Sequence, residues 1–147
     1  MALRNLLVLF LVSLMLSACG GGPVKRVSPP TASVQELAVR EDGSWRLLVR
    51  VQNFSNVPMT FSGIDARLEI EGADMAGLTL PLKLDIPGGS ADVFEIDVMP
   101  TSGGDPGTSE FAYRLHGRIQ TSDPDGDFRF ERKSRLSPVP GLANTWR

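Results

Sequence analysis

Cysteine and histidine each occur once, as Cys19 and His116. A lone cysteine excludes an internal disulfide framework. One histidine with no further cysteine excludes the ligand sets of structural zinc sites. Lys and Arg number 15 against 17 Asp and Glu, and no basic run or aromatic-rich basic patch occurs. That leaves nothing of the electrostatic footprint of a nucleic-acid binder. Catalytic patterns are missing too. There is no Gly-x-Ser-x-Gly elbow, and neither Gly20 to Gly22 nor Gly103-Gly104 begins a phosphate-cradling loop. Glu95, Asp105 and Glu110 form no convincing carboxylate pair, and His116 has no second histidine to share a metal. The acidic run Asp123-Pro124-Asp125-Gly126-Asp127 lacks the glycine at position six and the glutamate at position twelve of a helical calcium loop, and reads as a hairpin turn. The expectation is a protein without catalytic residues, cofactor or metal.

Long hydrophobic runs are also scarce. The one apolar stretch, Leu6 to Leu16, is broken only by Ser13. It is shorter than the roughly 20 residues that cross a bilayer as a helix. Arg4 precedes it and Ser17-Ala18 follow, which describes a secretory signal peptide. Leu16-Ser17-Ala18-Cys19 resembles the bacterial lipobox. That resemblance implies cleavage after residue 18, a diacylglycerol thioether on Cys19 and a further acyl chain on the new amino group. Two or more chains anchor stably, since each buried methylene contributes ~0.8 kcal/mol. Gly20 stands where an aspartate would signal inner-membrane retention, so the expected location is the outer membrane, facing the periplasm. Residues 19–32 then read as a flexible tether: Gly20-Gly21-Gly22-Pro23 first, Ser28-Pro29-Pro30-Thr31 later.

What remains is long enough for one domain with a proper core. It holds most of the 15 glycines and 11 prolines and almost no helix-favouring run. Trp45, Leu47, Val49 and Val51 alternate with Arg46, Leu48, Arg50 and Gln52, a clear period of two. Val34, Leu37 and Val39 mark an earlier, looser strand. Met59 and Phe61, then Ile64, Ala66, Leu68 and Ile70, make a long one whose parity changes at Ser62-Gly63, predicting a bulge. Leu78 to Leu84 alternate around Pro81, which has no amide to donate and predicts an edge strand. Phe94, Ile96 and Val98 follow the turn Pro87-Gly88-Gly89-Ser90; then come Phe111 to Ile119 and a strand with Phe128 and Phe130. About seven strands, with turns every 8–12 residues or so, predict an all-β, seven-stranded antiparallel β-sandwich over residues 33–136. Residues 137–147, ending near Trp146, read as a loosely packed tail. His116 falls on the outward parity.

From Trp45 to Val98 the chain resembles the late-embryogenesis-abundant group 2 domain, also called the water-stress-and-hypersensitive-response domain. The carrying features are Val49-Arg50-Val51-Gln52-Asn53 followed by Ser55-Asn56 and Pro58, then Ala66 to Gly72, Gly77, and Ile86-Pro87-Gly88-Gly89-Ser90. Phe54 stands where the family usually has proline. The resemblance implies a fibronectin type III or immunoglobulin-like sandwich, no catalytic machinery and an association with desiccation, cold or osmotic stress. Asn53, Asn56, Pro58, Gly72 and Gly77 are its motif residues, expected to shape loops rather than bind a ligand. Asparagine tolerates left-handed backbone and bonds nearby main-chain groups.

Two functions are therefore expected: a protective or scaffolding envelope lipoprotein, or a lipid-tethered module that binds an envelope protein, glycan or lipid. The edge strand at Pro81, the Pro100–Thr108 loop and the tail with Trp146 would serve the second. The membrane, through Cys19, is the expected partner of either, with the chain a monomer.

Overall fold

The computed structural model describes residues 21–101 and 106–147. The expected signal peptide and the expected lipidation site Cys19 lie outside the described residues, as do Gly103-Gly104 and Asp105. Strands run over Thr31–Val39 (β1), Trp45–Gln52 (β2), Met59–Ile70 (β3), Ala73–Ile86 (β4), Ala91–Val98 (β5), Phe111–Asp123 (β6), Asp125–Leu136 (β7) and Thr145–Trp146 (β8). They form two four-stranded antiparallel sheets, ordered β5-β2-β1-β8 and β4-β3-β6-β7, and no helix occurs among the described residues.

Alternation builds the core between the sheets. Trp45, Leu47, Val49 and Val51 of β2 are buried, as are Ile64, Ala66, Leu68 and Ile70 of β3 and Phe111, Tyr113, Leu115 and Ile119 of β6. The two parity breaks have structural causes. β1 slips register between Val34 and Glu36, so Gln35 is the extra residue that loosens its pattern. β3 slips between Phe61 and Gly63, where the change of parity predicts it. β4 lies at the edge of its sheet, and Pro81 is exposed there. At Gly117 of β6 the strands come so close that a Cβ would stand 2.2 Å from Asp65 O and 2.5 Å from Ala66 Cα.

Tyr113 ties the sheets together. β8 pairs with β1 only at Leu37 and Ala38, which leaves the outer backbone of Val34 without a strand partner. The Tyr113 hydroxyl crosses from β6, accepts from Val34 N–H and donates to Val34 C=O, both at 3.2 Å. Burial pushes its pKa up.

Three expectations need correction. The strands number eight, not seven: the tail supplies β8, because Trp146 is large and apolar enough to fill the gap beside β1. The tail is not loose. Trp146 is 4 % exposed and meets Phe111 with ring centroids 5.9 Å apart, while Ser137 and Arg147 exchange backbone hydrogen bonds. An ion pair from Arg147 to Glu36 pins its end. A two-residue strand is too short to show a period, so alternation could not reveal it. Finally, residues 24–28, expected to be flexible, are fastened to the domain, and β1 begins at Thr31, within the 19–32 span.

Candidate functional site

The strand register divides the loops between two ends. Thr60 pairs with Asp123 and Met59 with Ile86. The entering segment, the 53–58 loop, the 87–90 turn and the 123–126 turn therefore share one end. The 40–44 turn, Glu71-Gly72, the connection after β5 and the 137–144 segment share the other.

Asn53 organises the first end. It is fully buried, and its Nδ2 group donates to three carbonyls: Val57 at 2.9 Å, Ile86 at 3.0 Å and Pro87 at 3.2 Å. Its Oδ1 accepts from Ser55 N–H at 2.9 Å, an Asx turn, while its own N–H donates to Ser90 O. One amide, its two hydrogens shared among three acceptors, therefore joins the loop before β3 to the end of β4. Gly88 is required where the turn crosses the loop, since a Cβ there would stand 2.8 Å from the Asn56 carbonyl carbon.

Asn56 is exposed and holds a different partner. Its Oδ1 accepts from Arg26 N–H at 2.7 Å, its N–H donates to Arg26 O at 3.1 Å, and its Nδ2 donates to Val24 O at 2.8 Å. Ser28 N–H donates to Ser55 Oγ at 2.8 Å. Residues 24–28 are thereby bound as a short, strand-like extension. Sequence reasoning missed Ser55 and this contact, because a side chain bonding backbone some 30 residues away leaves no periodic trace.

The other motif residues do not join them. Pro58 is exposed beside the loop. Gly72 forms the β3–β4 turn at the opposite end, with φ of +83° after Glu71 at +49°. Gly77 pairs with Arg67 on β4, where a Cβ would meet nothing, and nothing in the structure explains a need for glycine there.

The outward face of β3, β6 and β7 carries charge. His116 Nε2 sits 3.0 Å from Glu69 Oε1, and Arg114 bridges Glu69 and Glu131. The His116 hydrogen bond, then Arg114, holds the Glu69 carboxyl below its ordinary range. Arg118 does the same for Asp127, and Arg114 with Lys133 for Glu131. A shallow depression of about 530 Å³ runs past Glu69, Tyr113, Arg114, Lys133 and Arg135. Its cations already have partners: Arg114 and Lys133 meet Glu131, and Arg135 meets Glu110. Glu110 also accepts from Ser137, and Glu95 pairs with Arg46. Asp127, of the acidic turn, is engaged by Arg118. Among the described residues no three His, Cys, Asp or Glu side chains are grouped to hold a metal ion.

No protein-family model matches the chain. No curated protein matches it either. Solved structures do. The solution structure of the Arabidopsis thaliana protein AT1g01470 superposes with a TM-score of 0.52 at 12 % identity, covering 84 % of this chain and 87 % of that one. The solution structure of "a putative late embryogenesis abundant (LEA) protein", At2g46140.1, gives 0.49 at 16 % identity, over 96 % and 86 %. The crystal structure of a protein from Archaeoglobus fulgidus gives 0.43 at 15 % identity, over 78 % and 98 %. The likeness to the first is one of fold alone.

Proposed function

We propose that this chain is a non-catalytic lipoprotein of the bacterial envelope, a water-stress-type β-sandwich held to the outer membrane by lipid on Cys19, with a protective or scaffolding role. The observation that carries the reading is the Asn53–Asn56 loop. Two residues of the stretch that resembles the stress-domain motif, Ser55 and Asn56, fasten residues 24–28 to the domain, and Asn53 braces Ser55 from within. A lipobox-like segment thus ends a few residues before the folded body. The fibronectin type III character of the resemblance is supported by strand order, with β5-β2-β1 opposite β4-β3-β6-β7. The alternative, a module for binding an envelope partner, loses one support because Trp146 is buried.

Two measurements test the proposal. The mature chain should begin at Cys19, carry the mass of its acyl groups and incorporate labelled palmitate, and Cys19→Ser should abolish all three. A deletion strain should survive desiccation or freeze–thaw less well than its parent. Equal survival, with no protection of a model enzyme by the purified protein, would sink the protective role.

A further inference from the structure

The end that holds residues 24–28 is also where large apolar side chains stand free. Phe54 is 54 % exposed, Val24 83 % and Val27 46 %. All three stand at the same end: Phe54 directly precedes Ser55 and Asn56, whose hydrogen bonds fix the segment from Val24 to Ser28. The opposite end has its own exposed apolar residues, Met99 and Leu142, far along the strands from any chain entry.

The chain outside this end decides what can cover these side chains. Val24 stands five residues after Cys19, with four between them. Fully extended, that span reaches about 17 Å, whereas a chain free as far as Thr31 would reach about 40 Å. The shorter length holds this end against the lipid surface, since the headgroup layer itself takes up several ångströms. Charge does not drive the contact. Lys25 and Arg26 are offset here by Asp85, Asp92, Asp123 and Asp125. An aromatic ring beside two valines is suited to the boundary between headgroups and acyl chains, where apolar faces bury ~5–10 Å deep.

We propose that the Asn53–Asn56 end is seated on the bilayer that holds the anchor, with Phe54, Val24 and Val27 in its interfacial layer. This orientation rests on the lipid-anchored reading above. Asn56 then acts as a positioning residue, shortening the tether so that the sandwich stands upright with the 40–44 and 71–72 turns farthest from the membrane.

The test uses the mature, lipidated chain in vesicles of phosphatidylethanolamine and phosphatidylglycerol. Phe54→Cys and Leu142→Cys each offer one free thiol, because Cys19 sulfur is held as a thioether. Bimane at position 54 should be quenched several-fold more by doxyl-labelled lipid than bimane at 142, and high salt should leave the difference unchanged. Adding Asn56→Ala to the Phe54→Cys chain should lower quenching at 54. Mass spectrometry of the same preparation separates the two readings. A chain without acyl mass overturns the anchor and this orientation with it. A lipidated chain quenched equally at 54 and 142 overturns the orientation alone.

Discussion

The chain-entry end and the outer face of β3, β6 and β7 are both polar, yet they are built on opposite terms. At the entry end a single neutral amide, Asn53, is fully buried and answers three carbonyls, that of Ile86 in a bond shut away from water. On the sheet face several full charges pair with one another, but their side chains stay partly in solvent, such as Arg118 and Asp127, each 45 % exposed. Water and salt discount the second arrangement, whereas burial magnifies the first. Formal charge is thus a poor guide to which region holds this molecule together. What decides is whether a lost partner can be replaced by water.

Asn53→Ala is the substitution that should separate the regions most. It strands the Val57 and Ile86 carbonyls, leaves Pro87 O with Ser90 N–H alone, and removes the Asx turn to Ser55. With about 1–3 kcal/mol for each buried group left unpaired, and some relaxation, a loss of about 3 kcal/mol in urea unfolding is expected. A loss no larger than that of a surface alanine substitution would show that water enters the loop and that the two regions do not differ.

Asn56→Ala sharpens the comparison within the entry end itself. Its hydrogen bonds are exposed, so domain stability should fall by about 1 kcal/mol or less. The Arg26 amide proton, bonded to Asn56 Oδ1, should nevertheless lose its protection from hydrogen exchange, and proteolysis before residue 28 should quicken. Retained protection would mean that the bond of Ser55 to Ser28 and the main-chain bond from residue 56 to Arg26 O suffice to hold the segment.

Much of this fold is legible in alternation, because inward positions of a two-sheet core must be apolar and β2, β3 and β6 obey that along their length. The bulge at Ser62-Gly63 and the edge position of Pro81 are legible for equally local reasons. Tyr113, Ser55, the fastening of residues 24–28 and β8 are not. Each depends on a side chain meeting backbone far away in sequence, or on a strand of two residues, and neither produces a period. The group 2 resemblance drew attention to Asn53 and Asn56, but only as residues that shape a loop. That Asn56 reaches across to Val24 and Arg26 is visible in the folded chain alone.

The smallest effect should come from the charged face, and its sign follows from the carboxylates. The hydrogen bond from His116, followed by Arg114, holds Glu69 below its ordinary range, so the folded state binds its proton less readily than the unfolded chain. Such a group stabilises the fold above the unfolded-state pKa of about 4.3, and the contribution disappears as pH falls through the lower folded value. Asp127 and Glu131 act in the same direction. The urea midpoint should therefore be level from neutral pH down to about 5 and decline below about 4. Glu69→Gln should make that decline shallower while moving the midpoint at neutral pH little, and added salt should shrink the difference between the two chains. A decline of the same steepness in the variant would assign acid sensitivity to carboxylates elsewhere. A large loss at neutral pH would instead mean that this exposed network matters as much as the buried amide, and the contrast between the two regions would fall.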